Sequence, residues 1–303
     1  MLIVAAEPRG PALASIDRLT WLMVVLGGIA FALVLFALIR GLRGRNELGR
    51  RGESLFLFGG GLVLPGVMIV VVFAATLAVM RSQPATAGPD ALTIEITGHQ
   101  WWWEVYYPAQ DIRTANEIHI PVGEDIELRL TSADVIHSFW VPSLGEKLDL
   151  LPDRVNTMIL QADEESTYRG SCAEFCGLQH AKMAFLVIAT SPGEFEDWVA
   201  GQQMVADPPT DDLGRRGLEV FLTSECPDCH TIAGSEAHGE KGPDLTHVAG
   251  RETIAAASFA NRTENLRSWV ANPQARKPGV AMPDIELSDD ELDALVAYLE
   301  TLE

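Results

Sequence analysis

Two thiols, an imidazole and a thioether lie within thirteen positions of a chain that contains only four cysteines. The segment SCAEFCGLQHAKM contributes them as Cys172, Cys176, His180 and Met183. These are soft ligands, which suit copper better than hard cations. A second imidazole, His137, precedes Cys172 by 35 residues and is expected on a strand that folds back over the segment. Because two thiolates can each bridge two copper ions, the set predicts a copper pair that shares one electron.

The other two cysteines belong to the string CPDCH, from Cys226 to His230. In a C-x-x-C-H string the thiols can form thioethers to haem vinyl groups, while the adjacent imidazole becomes an axial ligand of the iron. Cys226 and Cys229 would hold the haem, and His230 would bind its iron. Two disulfides are the alternative for the four cysteines, and an oxidising compartment would permit them. The histidine close behind each cysteine pair favours metal chemistry instead.

Two apolar stretches precede these motifs. Leu19 to Ile39 and Ser54 to Met80 contain no charged residue, and each is long enough to cross a bilayer as a helix. Pro65 is expected to kink the second helix without preventing it from spanning. Five arginines lie between residues 40 and 51, so the positive-inside rule places this loop in the cytoplasm and both chain ends outside. The alternative, two buried helices of a soluble domain, is disfavoured because such helices rarely stay uncharged all round.

After residue 82 the chain is acidic, with 14 Lys and Arg residues against 38 Asp and Glu residues. This balance disfavours nucleic-acid binding and favours a basic protein partner. The alternative is a solvated surface that keeps the protein soluble.

Between about residues 92 and 190, short β-type runs are separated by turn residues, which predicts a β-sandwich or barrel. The runs are LTIEITG, QWWWEVYYP, EIHIPV, DIELRLTS, VIHSFWVP, VNTMILQA and AFLVIAT. PGEFEDWVA is expected to form a short helix that closes this domain, and residues 201–212, GQQMVADPPTDD, a linker. Further on, DDLGRRGLEVFLT, NLRSWVANP and SDDELDALVAYLETL are expected to be helices, the last with a capping box of Ser288 and Glu291.

The motifs CPDCH, KGPDL (241–245) and KPGVAMPD (277–284) give residues 211–303 a resemblance to a class I cytochrome c domain, which is all-α. The resemblance implies that the carbonyl group of Pro243 orients the imidazole of His230. It also implies that Met282 is the sixth iron ligand, because His/Met ligation raises the potential as an electron carrier requires. The alternative sixth ligands are His238, His247 and Met204.

His137 followed by C-x-E-x-C-x-x-x-H-x-x-M, from Cys172 to Met183, resembles the binuclear copper A centre of cytochrome c oxidase subunit II. GHQWWWEV, VIHSFWVPSLGEKLDLLPDRVN and the two apolar helices extend this resemblance over residues 15–205. With the haem domain appended, the whole chain resembles subunit II of the caa-type oxidases. The implied fold is mixed and multidomain: an extracytoplasmic segment (1–15), a transmembrane helix hairpin (16–82), a cupredoxin-like β-sandwich or barrel (90–200), the linker (201–212) and the cytochrome c domain (213–303).

The resemblance also assigns roles to single residues. Copper ligands are carried over onto the side chains of His137, Cys172, Cys176, His180 and Met183 and onto the backbone carbonyl of Glu174. The carboxylate of Glu174 would help to hold a magnesium ion at the boundary with subunit I. Trp101 matches the aromatic residue that receives electrons near the copper, although a half-buried strand aromatic is the alternative. In a regular strand, Trp102 would lie on the face opposite Trp101 and Trp103.

One departure from the family pattern concerns proton uptake. Many members carry a glutamate about two turns before the proline of the second span, where it feeds a proton path in subunit I. Here FLFGGGLVL precedes Pro65, and the nearest acid, Glu53, is twelve positions upstream of it. The sequence therefore does not predict this role.

The function implied is that of an electron relay in a proton-pumping oxidase of the bacterial inner membrane. Electrons would pass from a donor cytochrome c or other respiratory donor to haem c, then to the copper pair, then to a haem of subunit I, where oxygen is reduced. The implied partners are subunits I and III, the donor and membrane lipid. A copper-delivery protein would be expected on a βαβ pattern, which residues 92–190 lack. A quinol oxidase subunit would lack the copper ligands, and a nitrous-oxide reductase would carry a large preceding domain.

Overall fold

The computed structural model describes residues 9–44, 49–82 and 87–303. It divides into two compact units, one formed by residues 11–84 and the other by the remainder of the chain. Of the expected extracytoplasmic segment, residues 1–8 lie outside the described residues, as does Arg45 of the basic loop.

The first unit consists of two helices that are long and apolar enough to cross a membrane. Helix α1 spans Pro11–Leu42, and the second helix is formed by α2 (Arg50–Leu55), a π-helical segment (Phe56–Val63) and α3 (Leu64–Ser82). Leu64 N–H donates to Gly59 O, five residues earlier, as a π-helix requires. The irregular stretch lies immediately before Pro65, which supplies no N–H group of its own.

The second unit begins with two five-stranded β-sheets. In spatial order, the first sheet contains β3 (Ile112–Ala115), β2 (Trp102–Tyr107), β1 (Thr93–His99), β5 (Ile126–Ser132) and β8 (Asn156–Leu160). The second contains β4 (Glu117–Pro121), β10 (Ala184–Thr190), β9 (Ser166–Cys172), β6 (His137–Trp140) and β7 (Leu148–Leu150). β1 pairs with β5, and β4 with β10, in parallel, and the other pairs are antiparallel.

The predicted strands are all present, and three more, β3, β7 and β9, were not expected. One face of β9 is exposed along most of its length, so its sequence STYRGSC contains too few apolar residues to give a strand signal. Helix α4 (Pro192–Gln202) follows β10 and begins with a capping box in which Ser191 and Glu194 exchange hydrogen bonds.

Three aromatic side chains fill the centre of the space between the two sheets. Trp103, Phe139 and Phe185 have no exposed surface. The Phe139 and Phe185 rings stack at 4.4 Å, and Trp103 meets both rings edge-on, at 6.1 Å and 5.1 Å. His137 packs against Trp103 with ring centroids 6.0 Å apart. The core residue Trp103 therefore supports the ring of His137, the first predicted copper ligand.

The C-terminal part is helical, with α5 (Asp212–Thr223), α6 (Thr263–Ala271), α7 (Pro273–Arg276) and α8 (Asp289–Leu299). A two-stranded ribbon, β11 (Thr253–Ile254) and β12 (Phe259–Ala260), precedes α6. Helix α5 packs on α8, where Phe221 meets Tyr298 edge-on at 6.3 Å. The predicted capping box of Ser288 and Glu291 is present at the start of α8.

Candidate copper and haem sites

Strand pairing brings the first copper ligands together. β6 pairs with β9 so that Phe139 lies opposite Cys172. His137 is two residues from Phe139, and side chains two residues apart share one face of a strand. His137 Nδ1 consequently lies 4.0 Å from Cys172 Sγ. Both side chains are buried, at 0% and 6% exposure.

The loop after Cys172 returns the remaining soft donors to the same point. Cys176 Sγ lies 3.7 Å from Cys172 Sγ, from His180 Nδ1 and from Met183 Sδ. A short 3₁₀ turn, His180–Lys182, closes the loop, and Cys172 N–H donates to Met183 O at 2.9 Å. The fifth side chain, His137, completes a compact set of two sulfurs flanked by two imidazoles and a thioether.

The two thiols share one proton unequally. The hydrogen bond between the two sulfurs lowers the pKa of Cys172, although burial opposes this shift. The pKa of Cys176 is raised, first by its hydrogen bond with Cys172 and then by burial. Two thiolates at 3.7 Å repel each other unless a cation lies between them. All four cysteines are free thiols, so the disulfide alternative is not realised. This donor set fits bridged copper.

The orientation of His137 is fixed from its far side by Asp134. His137 Nε2 donates to Asp134 Oδ1 at 2.8 Å, which leaves Nδ1 to face the Cys172 sulfur. Burial opposes the charged imidazole, but the hydrogen bonds with Cys172 and Asp134 outweigh it and raise the pKa of His137. Asp134 also accepts a hydrogen bond from Gln100 N–H at 2.7 Å. Sequence reasoning did not identify Asp134, although its position three residues before His137 is the available signal.

Trp101 lies directly against the cysteine loop. Its Nε1–H donates to Cys176 O at 2.9 Å, and Gln100 Nε2 donates to the same oxygen at 2.7 Å. The three consecutive tryptophans have different surroundings: Trp102 stacks on His99 at 4.3 Å, and Trp103 is in the core. β2 begins at Trp102, so the strand alternation used to place Trp101 does not extend to it.

The backbone and the side chain of Glu174 have different surroundings. Its carbonyl oxygen lies 3.1 Å from Cys172 Sγ, beside the other predicted copper ligands. Its side chain is exposed, as are the neighbouring apolar side chains Phe175 (76%) and Leu178 (70%).

The predicted iron ligand His230 has its tautomer fixed by the backbone. His230 Nδ1 lies 2.7 Å from Pro243 O, and because a carbonyl oxygen only accepts, Nδ1 carries the proton. Nε2 is then free to bind a metal, which the predicted role requires. Burial lowers the pKa of His230, which keeps the ring neutral. A Cβ atom on Gly242 would lie 2.7 Å from His230 Cε1, so the ring occupies space that only glycine leaves open.

The surroundings of the C-x-x-C-H string also fit a haem. Cys226 is buried and begins a 3₁₀ turn, Cys226–Asp228. Cys229 is half-buried, follows this turn and directly precedes His230. Arg251 is half-buried, and its buried Nε has no hydrogen-bond partner among the described residues. Its guanidinium donates to Asp244 O, next to Pro243, whose carbonyl contacts the His230 ring. A guanidinium with a spare donor suits a haem carboxylate.

Met282 lies on a loop that is fastened by one side chain. Gln274 Nε2 donates to Val280 O at 2.8 Å and to Met282 O at 2.7 Å, while its Oε1 accepts from Gly279 N–H at 2.9 Å. Sequence reasoning missed Gln274, which has no motif around it. Among the alternative sixth ligands, His238 and Met204 are exposed. Both ring nitrogens of His247 face backbone carbonyl oxygens, at 2.6 Å and 3.1 Å.

Comparisons with known proteins agree with this organisation. Residues 109–190 match the family model of the cytochrome c oxidase subunit II periplasmic domain, and residues 214–303 match that of cytochrome c. The chain is 33% identical to cytochrome c oxidase subunit 2 of Alkalihalophilus pseudofirmus over 99% of this chain and 91% of that protein. It is 30% identical to the Bacillus subtilis protein of the same name over 93% and 86% of the two chains.

Among solved structures, the periplasmic domain of cytochrome oxidase subunit II from Bradyrhizobium japonicum is 31% identical. The match covers 39% of this chain and 97% of that one, with a TM-score of 0.38.

The two domain matches imply copper in the β-domain and haem c in the helical domain, where the soft donor set and the C-x-x-C-H string lie. The relatives extend the match across the apolar helices, so the chain is anchored to a membrane. Identities of 33% and 30% to oxidase subunits, over 99% and 93% of this chain, show that it belongs to the cytochrome c oxidase subunit II family, and it carries a C-terminal cytochrome c domain.

Proposed function

We propose that this chain is the electron relay of its oxidase. One electron at a time would pass from a donor cytochrome c or other respiratory donor to haem c, on to a binuclear copper A centre, and then to a haem of subunit I. The observation that carries the proposal is the set of 3.7–4.0 Å separations joining His137, Cys172, Cys176, His180 and Met183.

The residues of the copper domain would hold the metal pair in one geometry. Cys172, Cys176, His137 and His180 would hold the copper ions through their sulfur and Nδ1 atoms. Met183 and the carbonyl of Glu174 would supply weaker ligands. When bound, the pair accepts and releases one electron without a proton. Because the ligands belong to paired strands and a hydrogen-bonded loop, they would shift little as the charge changes.

The residues of the haem domain would serve attachment and orientation. Cys226 and Cys229 would form the thioethers, and His230 and Met282 would be the iron ligands. Pro243 holds the His230 ring by its hydrogen bond at 2.7 Å.

Trp101 would be the electron-accepting aromatic beside the copper loop, because its hydrogen bond to Cys176 O is a direct link to a bridging ligand. The exposed carboxylate of Glu174 would bind magnesium at the boundary with subunit I. The relay would face the periplasm of a bacterial inner membrane, with subunits I and III and lipid around its two helices. The acidic surface would attract a basic donor.

The test is metal analysis and electron paramagnetic resonance of the full-length chain, purified after haem attachment and copper loading. We expect two coppers for each covalently held haem iron, with hyperfine structure from one electron shared by two copper nuclei. Cys172→Ser should abolish the shared signal and leave the haem spectrum intact, whereas Ser171→Ala should change neither. One copper per iron with a localised signal would contradict the relay and indicate a copper storage or delivery site.

A further inference from the structure

The copper domain and the haem domain are in direct contact, through close packing and buried hydrogen bonds. Gly279, on the loop from Lys277 to Met282, lies against Trp101 and Leu178 of the copper domain. A Cβ atom at this position would lie 3.2 Å from Leu178 Cδ2 and 3.7 Å from Trp101 Cη2. Gly279 has a φ of +88°, which side chains rarely adopt, so glycine serves both the turn and the close approach. The loop that carries the predicted iron ligand therefore covers part of Trp101.

Lys277 crosses this interface as a buried side chain, and burial lowers the pKa of its amine to about 7. Its side chain is 1% exposed. The ammonium group donates to Trp101 O at 3.1 Å, to Lys182 O at 3.0 Å and to Ala255 O at 3.0 Å. These three acceptors use all of its donors. Two of the oxygens belong to the copper domain and one to the haem domain, so a single side chain ties three backbone segments together.

Glu117 makes the reciprocal contact. It belongs to β4 of the copper domain, is 2% exposed and reaches into the haem domain. Its Oε2 accepts from Glu252 N–H at 3.0 Å, and its Oε1 accepts from Thr253 N–H at 2.8 Å and Thr253 Oγ1 at 2.7 Å. A charged group loses its hydration when it is buried, so each of these side chains needs the partner domain for its hydrogen bonds.

The haem-domain segment between the two contacts adopts an unusual conformation. Ala255, Ala256 and Ala257 have φ values of +55°, +58° and +51°. Three successive non-glycine residues in the left-handed region persist only where surrounding contacts hold them. Two of those contacts come from the copper domain: Ala184 N–H donates to Ala256 O at 3.3 Å, and Arg169 donates to Ala257 O at 3.1 Å. The copper domain therefore helps to hold this segment of the haem domain in its conformation.

We infer that Lys277 and Glu117 are reciprocal positioning residues that hold the haem domain on the copper domain in one orientation, with the Lys277–Met282 loop seated over Trp101. The inference rests on the proposed relay. In that relay one electron leaves the haem iron and enters the copper pair, and no bond or proton is exchanged. A fixed orientation makes the rate of this intramolecular transfer independent of domain motion. An external donor would have to approach the haem domain, because the loop screens this side of Trp101.

The test uses the full-length oxidase complex with Lys277→Met, which keeps the chain length but removes the donors. The control is Lys147→Met, which removes an exposed charge of the copper domain. Hydrogen exchange of the amides in residues 250–258 and 276–283 should rise by about tenfold or more in Lys277→Met only. The rate of haem-to-copper transfer after flash oxidation should fall and become dependent on solvent viscosity. The haem spectrum and the copper resonance signal should stay unchanged.

Wild-type exchange and wild-type transfer kinetics in Lys277→Met would overturn the inference. If Lys277→Met does not assemble, Glu117→Gln takes its place: the amide NH₂ group would face Glu252 N–H, and the same loosening is expected. Hydrogen exchange requires no electron transfer, so it tests the docking even if the relay fails. A wild-type complex with slow exchange but no haem-to-copper transfer would refute the relay alone.

Discussion

Asp134 Oδ1 lies 2.8 Å from His137 Nε2, and this contact decides which nitrogen of the ring faces the cysteines. A carboxylate accepts a hydrogen bond, so Nε2 carries a proton and Nδ1 is the nitrogen that faces Cys172. The second oxygen of Asp134 accepts from Gln100 N–H, next to Trp101. One carboxylate therefore orients a metal ligand and the aromatic segment beside it.

The first prediction is that Asp134→Asn weakens copper binding. An asparagine oxygen can still accept from His137, but its NH₂ group would then face Gln100 N–H and lose that hydrogen bond. Loss of an orienting partner commonly lowers metal affinity by about 10- to 100-fold. Copper retention against a competing chelator measures this. Asp125→Asn, an equal change at an exposed position, is the control and should retain copper like the wild type. Equal retention by both variants would count against the orienting role.

The second prediction is that Gly242→Ala disturbs the iron ligand. The new methyl group would lie 2.7 Å from His230 Cε1 and 3.0 Å from Nδ1, so the ring must move away from Pro243 O. We expect a fraction of high-spin haem in the absorption spectrum. Gly250→Ala is the matched control, since its nearest neighbour, His247 O, lies 3.7 Å from the added Cβ. A low-spin spectrum identical to the wild type in Gly242→Ala would show that the ring is not confined here.

The third prediction concerns Met282 as the sixth ligand. Met282→Leu removes the thioether but keeps the volume similar, so the iron loses a ligand that raises its potential. We expect the midpoint potential to fall by on the order of 0.1 V, as axial-ligand changes do. Spectroelectrochemical titration provides the measurement. Met204→Leu, at a side chain that is 66% exposed, should leave the potential unchanged. The reverse pattern would assign the ligand to Met204.

The copper and haem ligands could be predicted because their chemistry restricts their spacing. Soft donors are rare, and few chemistries besides copper binding bring together a set such as Cys172, Cys176, His180 and Met183. The helices and most strands followed from periodicity and capping residues. β9 did not, because its exposed face is polar and glycine interrupts its buried one.

The docking residues could not be predicted from the sequence. Lys277 and Glu117 are of types that are almost always exposed, and local sequence gives no reason to bury them. Their hydrogen-bond partners are mostly backbone groups of the other domain, which no sequence motif marks. Asp134 and Gln274 are similar cases, because each acts through backbone or ring atoms whose positions depend on the folded loops. Tertiary contact, rather than residue type, creates these roles.

The fourth prediction is that His119 contributes to the stability of the fold and that this contribution is lost in acid. Its ring stacks on Trp198 at 4.3 Å, and burial lowers the pKa of His119 to about 4. In the unfolded chain the imidazole takes up its proton near pH 6.5. The stability due to the neutral ring is therefore fully present above pH 6.5 and is lost as the pH falls towards 4. The linked change is about 3 kcal/mol. His119→Phe keeps an aromatic stack without a titratable group, so the apparent Tm of the full-length protein in detergent should depend less on pH in this window. His238→Phe, at an exposed position, should keep the wild-type dependence. If His119→Phe keeps the full acid dependence, other groups cause it.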